Sequence, residues 1–106
     1  MKKAFICHPF QNDKDNLLQT KKFCLMAMME HYNPISPAVY YSQFLNDGDE
    51  KERKIGRELG LDLIEFCDEL WICGDVITKG MKAEINEAYR INKTQCEILI
   101  RQVDMK

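Results

Sequence analysis

The feature that most constrains this chain is the alternation of short apolar runs with segments of helical period, all within 106 residues. Residues 3–7, 69–74 and 97–100 are short and apolar, and they read as buried strands. Residues 33–37, Asn-Pro-Ile-Ser-Pro, fit a brief strand near a sheet edge, because proline cannot donate to a central ladder. Helical period covers residues 17–32, 49–67 and 79–91. Strands that alternate with helices predict a parallel sheet joined by right-handed crossovers. The expectation is one α/β domain over residues 1–106, a flavodoxin-like or Rossmann-like three-layer sandwich with a four- to five-stranded parallel sheet.

Local signals set the helix starts and the faces expected to be buried. Asp13 is placed to cap the first helix. Leu17, Cys24 and Met28 form its expected inner arc, with Leu18, Leu25 and Met29 beside them. Phe23 and Met26 fall off that arc, which suits either a subunit contact or ordinary scattered apolar surface. Asp49 and Glu52 make an acidic variant of a capping box for the second helix, whose expected inward stripe is Ile55, Leu59, Leu63 and Phe66. Gly60 inside that helix weakens it unless another segment approaches closely there. Residues 38–48 form an aromatic connector holding Tyr40, Tyr41 and Phe44.

Charge and cysteine usage exclude several classes. The net charge is −2 and no run of Lys or Arg is longer than a pair, which argues against a nucleic-acid polymer as partner. A small nucleotide stays open, since a few donors and a helix N-terminus hold a phosphate. No segment approaches the ~18 apolar residues of a membrane span. The apolar stretch after Met1-Lys2-Lys3 is too short for a signal peptide. The five cysteines include no Cys-x-x-Cys pair. Reduced thiols, a cytoplasmic location and no metal site are the expectation.

In open parallel sheets, ligands bind beyond the carboxyl ends of the strands. That rule brings together His8-Pro9-Phe10, residues 36–44 and residues 74–84. Glu84 is the most informative position among them. Met81, Ile85 and Ala88 define the inward face of the last helix, and Glu84 lies at the edge of that arc, roughly 60° from Met81 at ~100° per residue. Its neighbours three and four residues away, Gly80, Met81, Glu87 and Ala88, are not basic, so no local ion pair explains it. It also lies near a helix start, where the dipole favours an anion. The plainer reading is a helix-edge glutamate bonded to a backbone group elsewhere.

The other candidates carry their own alternatives. His8 can contact a phosphate or a leaving base, or be a loop histidine satisfied by backbone. Cys7 and His8 are adjacent on a strand and point to opposite faces, which makes a Cys–His dyad improbable. Asp75 can bond a ribose hydroxyl or shape the turn after Gly74. Tyr40 and Tyr41 can stack on a base or pack the connector down. Thr78 is a cap, and Gly80 beside Met81 lets backbone approach a ligand.

The stretch Gly80-Met81-Lys82-Ala83-Glu84-Ile85-Asn86-Glu87-Ala88 resembles the signature of the nucleoside 2-deoxyribosyltransferase-like superfamily. That signature has a glycine four residues before a catalytic glutamate, an aliphatic residue after it and an alanine four residues on. Ala4-Phe5-Ile6-Cys7-His8-Pro9-Phe10 is similar to the family's first strand, which ends in Pro-Phe or Pro-Tyr. Cys67-Asp68-Glu69-Leu70-Trp71 resembles its Asp-led strand before the catalytic loop, although Asp68 itself reads as structural. The chain is similar to a small bacterial and phage branch of that superfamily. Cys7-His8 and Lys82 stand where relatives carry smaller residues.

The resemblance implies Glu84 as a nucleophile that attacks the anomeric carbon of a nucleoside or nucleotide, with His8, Asp75 and a connector tyrosine around sugar and base. It implies no metal or organic cofactor, and a homodimer or larger homo-oligomer. The competing reading is a binding module that holds a nucleotide or nucleotide-derived signal without turning it over. A weaker one is an interaction protein using Phe23, Met26 and the aromatic connector. The environment of Glu84 separates the first two: a bare carboxylate facing an open cleft favours catalysis, and a salt bridge to Lys82 or Arg53 favours binding or structure.

Overall fold

The computed structural model describes residues 1–10 and 13–104. Gln11 and Asn12 of the polar stretch before the first helix, and Met105 and Lys106, lie outside the described residues. The chain runs β1 (Lys3–Cys7), α1 (Lys14–Met29), β2 (Asn33–Ile35), α2 (Pro37–Tyr41), α3 (Glu50–Leu63), β3 (Glu69–Cys73), α4 (Lys79–Thr94) and β4 (Leu99–Val103). The strands form one parallel sheet of four in the order β2-β1-β3-β4. This is the expected flavodoxin-like α/β architecture. The edge position of β2 explains its proline: Pro34 pairs opposite Ala4 on the single side where β2 has a neighbour.

The chain steps from β1 out to β2, then returns past β1 to β3. The order therefore switches between β1 and β3, and the two strands diverge into His8 and Gly74 at their carboxyl ends. Gly74 has φ +86°, a backbone region that side-chain-bearing residues rarely adopt.

Alternation along the strands divides the core in two. Phe5, Cys7 and Leu70 face the side covered by α3 and α4, packed with Ile64, Met81, Ala88 and Ile91. Ala4, Ile6, Trp71 and Cys73 face α1, packed with Phe23 and Ala27. On the α1 side sits a buried glutamate. Glu69, 3% exposed, accepts from Tyr32 Oη at 2.7 Å, Trp71 Nε1 at 2.8 Å and Arg101 Nη1 at 3.3 Å. Arg101 lies over the Trp71 ring, 4.7 Å from its centroid. Asp68 is structural as expected, its carboxylate taking the Lys3 N–H at 2.8 Å.

Two expected helix faces are corrected. On α1 the buried residues are Thr20, Phe23 and Ala27, and Met26 packs beside them. Leu18, Leu25, Met28 and Met29, expected to lie within or beside the inner arc, are exposed. Apolar residues surround this helix, so period alone could not select its face. Phe23, expected off the arc, is core.

On α3 and the tighter turn Ile64–Phe66 that follows it, Ile55, Leu59 and Phe66 are exposed, and Gly60 and Ile64 are the buried positions. The helix packs through its small residues because α2 closes over it. A Cβ on Gly60 would meet Pro37 at 3.5 Å, and one on Gly56 would meet Leu45 at 3.1 Å.

Element boundaries also moved. The connector contains α2, with Pro37 at its first turn. Helix α1 ends three residues earlier than its periodicity predicts. His31 takes a left-handed φ of 66°, and the Tyr32 and His31 amides return to the Ala27 and Met28 carbonyls at 2.9 and 3.0 Å. This is a Schellman stop made without the glycine that would signal it. Helix α3 passes into a tighter helical turn at Ile64–Phe66, and β4 starts two residues late because the Asn92 side chain clamps both backbone groups of Ile98.

Candidate active site

Beyond the carboxyl ends of β1 and β3 lies a cavity of about 460 Å³, within the usual range for small-molecule sites. His8 and Phe10 leave β1 along one wall. Tyr41 of α2 and the glycine face of α3 form a second. The first turns of α4 form the third, bringing Gly80, Met81 and Glu84 to the cavity.

Thr78 fixes the start of α4. Its hydroxyl accepts the Met81 N–H at 3.2 Å, and the Thr78 N–H reaches the Met81 sulfur at 3.5 Å. Met81 then buries against the sheet, and Glu84, three residues on, turns toward the cavity beside β1. There the Cys7 side chain is its neighbour. Cys7 is fully buried, and its thiol donates to the Met81 carbonyl at 3.8 Å, tying β1 to α4.

Burial pushes the Glu84 carboxyl up to about 7, an effect only partly offset by the Cys7 thiol. The thiol in turn is held far above its ordinary range, first by burial and then by the Glu84 charge. It is protonated, with its one proton directed to the Met81 carbonyl, and does not serve as a nucleophile. Among the described residues no cation pairs with Glu84: neither Lys82 nor Arg53 is within salt-bridge distance. The carboxyl is withdrawn from water and uncompensated.

His8 is defined by α1. Its Nδ1 lies 2.8 Å from the Thr20 hydroxyl, and that hydroxyl donates its only proton to the Asn16 carbonyl at 2.7 Å. Thr20 therefore accepts, Nδ1 carries the ring proton, and Nε2 keeps its lone pair. Burial lowers the His8 pKa below 6.5, opposed by the Pro9 carbonyl, so the ring is neutral at physiological pH. The ring packs on Phe23 at 5.4 Å between centroids, and Nε2 lies 3.9 Å from where a Cβ on Gly74 would stand. Cys7 points to α4 and His8 to α1, so the two form no dyad.

The cavity thus brings together Glu84, His8, Phe10, Tyr41, Gly80 and Met81. Pro9, Tyr40 and Asp75 stand outside it. Tyr40 is 58% exposed and packs on Tyr41 and Phe44 at 5.3 and 5.2 Å, because a helix rather than an extended connector turns adjacent tyrosines to different sides. Asp75 is carried to solvent by the turn at Gly74. Pro9 links two lining residues without lining the cavity itself.

Arg53 and Arg57 line the α3 wall; sequence reasoning named Arg53 only as an ion-pair partner for Glu84 and missed Arg57. The available signal was Gly56 and Gly60, one helical turn apart among charged residues, marking a helix face with something close against it. Among the described residues, no group of three or more His, Cys, Asp or Glu is arranged to hold a metal ion, and no helix is long and apolar enough to cross a membrane.

The chain belongs to the family described as Domain of unknown function (DUF7768), which matches residues 2–98. No curated protein matches it. Among solved structures, it is similar to a 2-deoxyribosyltransferase from the psychrotolerant bacterium Bacillus psychrosaccharolyticus. The TM-score is 0.65 at 17% identity, covering 98% of this chain and 74% of that one. At that identity the likeness establishes the shared fold.

Proposed function

We propose that this DUF7768 protein cleaves or transfers at the N-glycosidic bond of a nucleoside or nucleotide, with Glu84 as nucleophile. The observation that carries the reading is the Glu84 carboxyl itself. It faces a ligand-sized cavity, is withdrawn from water and has no cation partner among the described residues. Its position in the Gly80 to Ala88 motif and the fold shared with a 2-deoxyribosyltransferase support the same chemistry.

In the first step the ionised Glu84 oxygen bonds to the anomeric carbon as the carbon–nitrogen bond breaks. The bond's electron pair leaves with the base, which takes up a proton from solvent, and a glycosyl ester remains on Glu84. In the second step water, or the nitrogen of another base, attacks the same carbon, gives up its proton to solvent and releases the glutamate as its carboxylate. The lone pair of His8 Nε2 accepts a hydrogen bond from a sugar hydroxyl or from the attacking water. Tyr41 and Phe10 offer apolar faces to the base. No metal or organic cofactor takes part. Only the ionised carboxylate attacks, so a carboxyl raised to about 7 works against this role at neutral pH, and the activity rises with pH.

The same proton affinity favours a second reading. A carboxyl held half protonated near neutrality donates a hydrogen bond to a ligand, as a binding module for a nucleotide or nucleotide-derived signal would require. The test is incubation with a panel of nucleosides, nucleotides and their deoxy forms, with released base read by chromatography, alongside Glu84→Ala. Release that disappears in the variant supports the enzyme. No release, with thermal stabilisation by one compound, moves the reading to the binding module.

The chain is further proposed to act in the cytoplasm as a homodimer or larger homo-oligomer. The exposed Leu18, Leu25, Met28 and Met29 of α1 are the surface for that contact, in place of Phe23 and Met26. A monomeric mass at micromolar concentration in light scattering would remove it.

A further inference from the structure

The arginines of this chain fall into two groups. Arg90 and Arg101, outside the cavity, are both paired: Arg90 with Glu87 at 2.7 Å, Arg101 with Glu69 at 3.3 Å. Arg53 and Arg57 line the cavity and have no acidic partner within salt-bridge distance among the described residues. They stand one helical turn apart on α3, on either side of Gly56, at the spacing where two side chains reach one object. The acidic residues of the same wall, Asp47 and Glu52, form no ion pair with them among the described residues. Glu52 is taken up by the Asn46 N–H at 3.1 Å, and Asp47 forms no salt bridge with either arginine. The cationic wall also continues outward. Arg53 and Arg57 border an adjoining hollow together with Lys51, Lys54 and Glu50.

We infer that the cavity selects a phosphorylated glycoside, a nucleoside 5′-monophosphate, whose phosphate is held by Arg53 and Arg57 while its anomeric carbon faces Glu84. This deepens the proposed function and rests on it. Planar guanidinium groups match phosphate oxygens in paired hydrogen bonds, and two of them neutralise a dianion without a metal. The neutral sugar and base give these arginines nothing to pair with. A free nucleoside would occupy the cavity and leave two cations facing only water. The phosphate anchors the ligand at the α3 wall and so supplies binding energy remote from the reacting bond.

The test is equilibrium binding, measured by calorimetry on wild type and on Glu84→Gln, which binds without turnover. The probes are matched nucleosides and 5′-monophosphates of each common base, in ribo and deoxy forms, and inorganic phosphate alone. At least one monophosphate binds about tenfold or more tightly than its nucleoside, and added salt narrows the gap. Arg53→Ala with Arg57→Ala abolishes the gap, weakening the monophosphate by about tenfold more than the nucleoside. Arg53→Lys with Arg57→Lys restores part of it. Both side chains are exposed and unpaired, so thermal melting reports intact folding in these variants.

Equal affinity for nucleoside and monophosphate overturns the inference. So does a gap that survives the double alanine variant, binding of inorganic phosphate as tight as that of the nucleotide, or no binding of any probe. Arginine-dependent binding without base release by wild type keeps the inference and removes the glycosidic chemistry. Base release from nucleosides and nucleotides alike, indifferent to the arginines, does the reverse.

Discussion

Each face of the sheet carries a glutamate withdrawn from water, and the two are handled in opposite ways. On the α1 face, burial by itself would raise the Glu69 carboxyl. Donors from Tyr32, Trp71 and Arg101 outweigh it and hold the group below its ordinary value. On the α4 face, burial raises Glu84 to about 7 and only the Cys7 thiol opposes it. Glu69 is a finished structural device whose oxygens are occupied. Glu84 is left without a strong donor at the mouth of a cavity, an arrangement that costs stability and leaves the carboxyl available to a ligand. Burial raises both carboxyls, and the difference is that the donors around Glu69 outweigh it.

The largest expected effect tests that contrast on function. Glu84→Gln lowers base release by at least about a thousandfold, as loss of a covalent nucleophile does, whereas Glu69→Gln leaves the release rate of the folded fraction within about threefold. Equal losses in both, measured at a temperature where both are folded, would break the distinction.

Next comes stability. Glu69→Ala strands the Tyr32 and Trp71 donors and the Arg101 charge, and destabilises the fold by about 3 kcal/mol in urea unfolding at neutral pH. Because the Glu69 pKa is lowered, the stability it lends is present above the ordinary carboxylate value and is lost as pH falls through and below it. The penalty of this variant therefore shrinks in acid.

Glu84 runs the other way. Its raised pKa means that the protonated form belongs to the folded state. The stability it lends is complete below 4.5 and lost as pH rises through about 7. At about 1.4 kcal/mol per tenfold, the fold gives up at most about 3 kcal/mol by ionising it. Glu84→Gln is thus more stable than wild type by up to that amount near pH ~8 and no more stable near pH ~4, in paired urea titrations. A variant less stable at both values would show that the carboxylate has an unseen partner.

The smallest effect falls on the link between the faces. Thr20→Val removes the acceptor of the His8 Nδ1–H and costs about 1 kcal/mol. It also frees the imidazole to change tautomer. Nitrogen-15 chemical shifts of the His8 ring then move from a single Nδ1–H form to a mixture, and wild-type shifts that already report a mixture would refute the assignment.

Much of the fold was legible in the sequence because strand and helix periods are local. The apolar runs gave β1 and β3, the prolines gave an edge strand, and Asp13, Asp49 and Thr78 gave the helix starts. The carboxyl-end rule gathered six of the nine singled-out residues at one cavity. What the chain alone determined is the order of its elements, the parallel sheet and a glutamate near a helix start with no basic neighbour one turn away.

The tertiary structure decided which side of a helix is inside, and that could not be read locally. Helix α1 is apolar all round, so Phe23 rather than Leu25 is buried only because the sheet lies on that side. Helix α3 buries glycine because α2 closes over it, leaving Ile55 and Leu59 in solvent and turning Arg53 and Arg57 to the cavity. The proton affinities of Glu69 and Glu84 are of the same kind. Burial raises both, and the donors that non-adjacent segments bring to Glu69 set it below its ordinary value while Glu84 stays above.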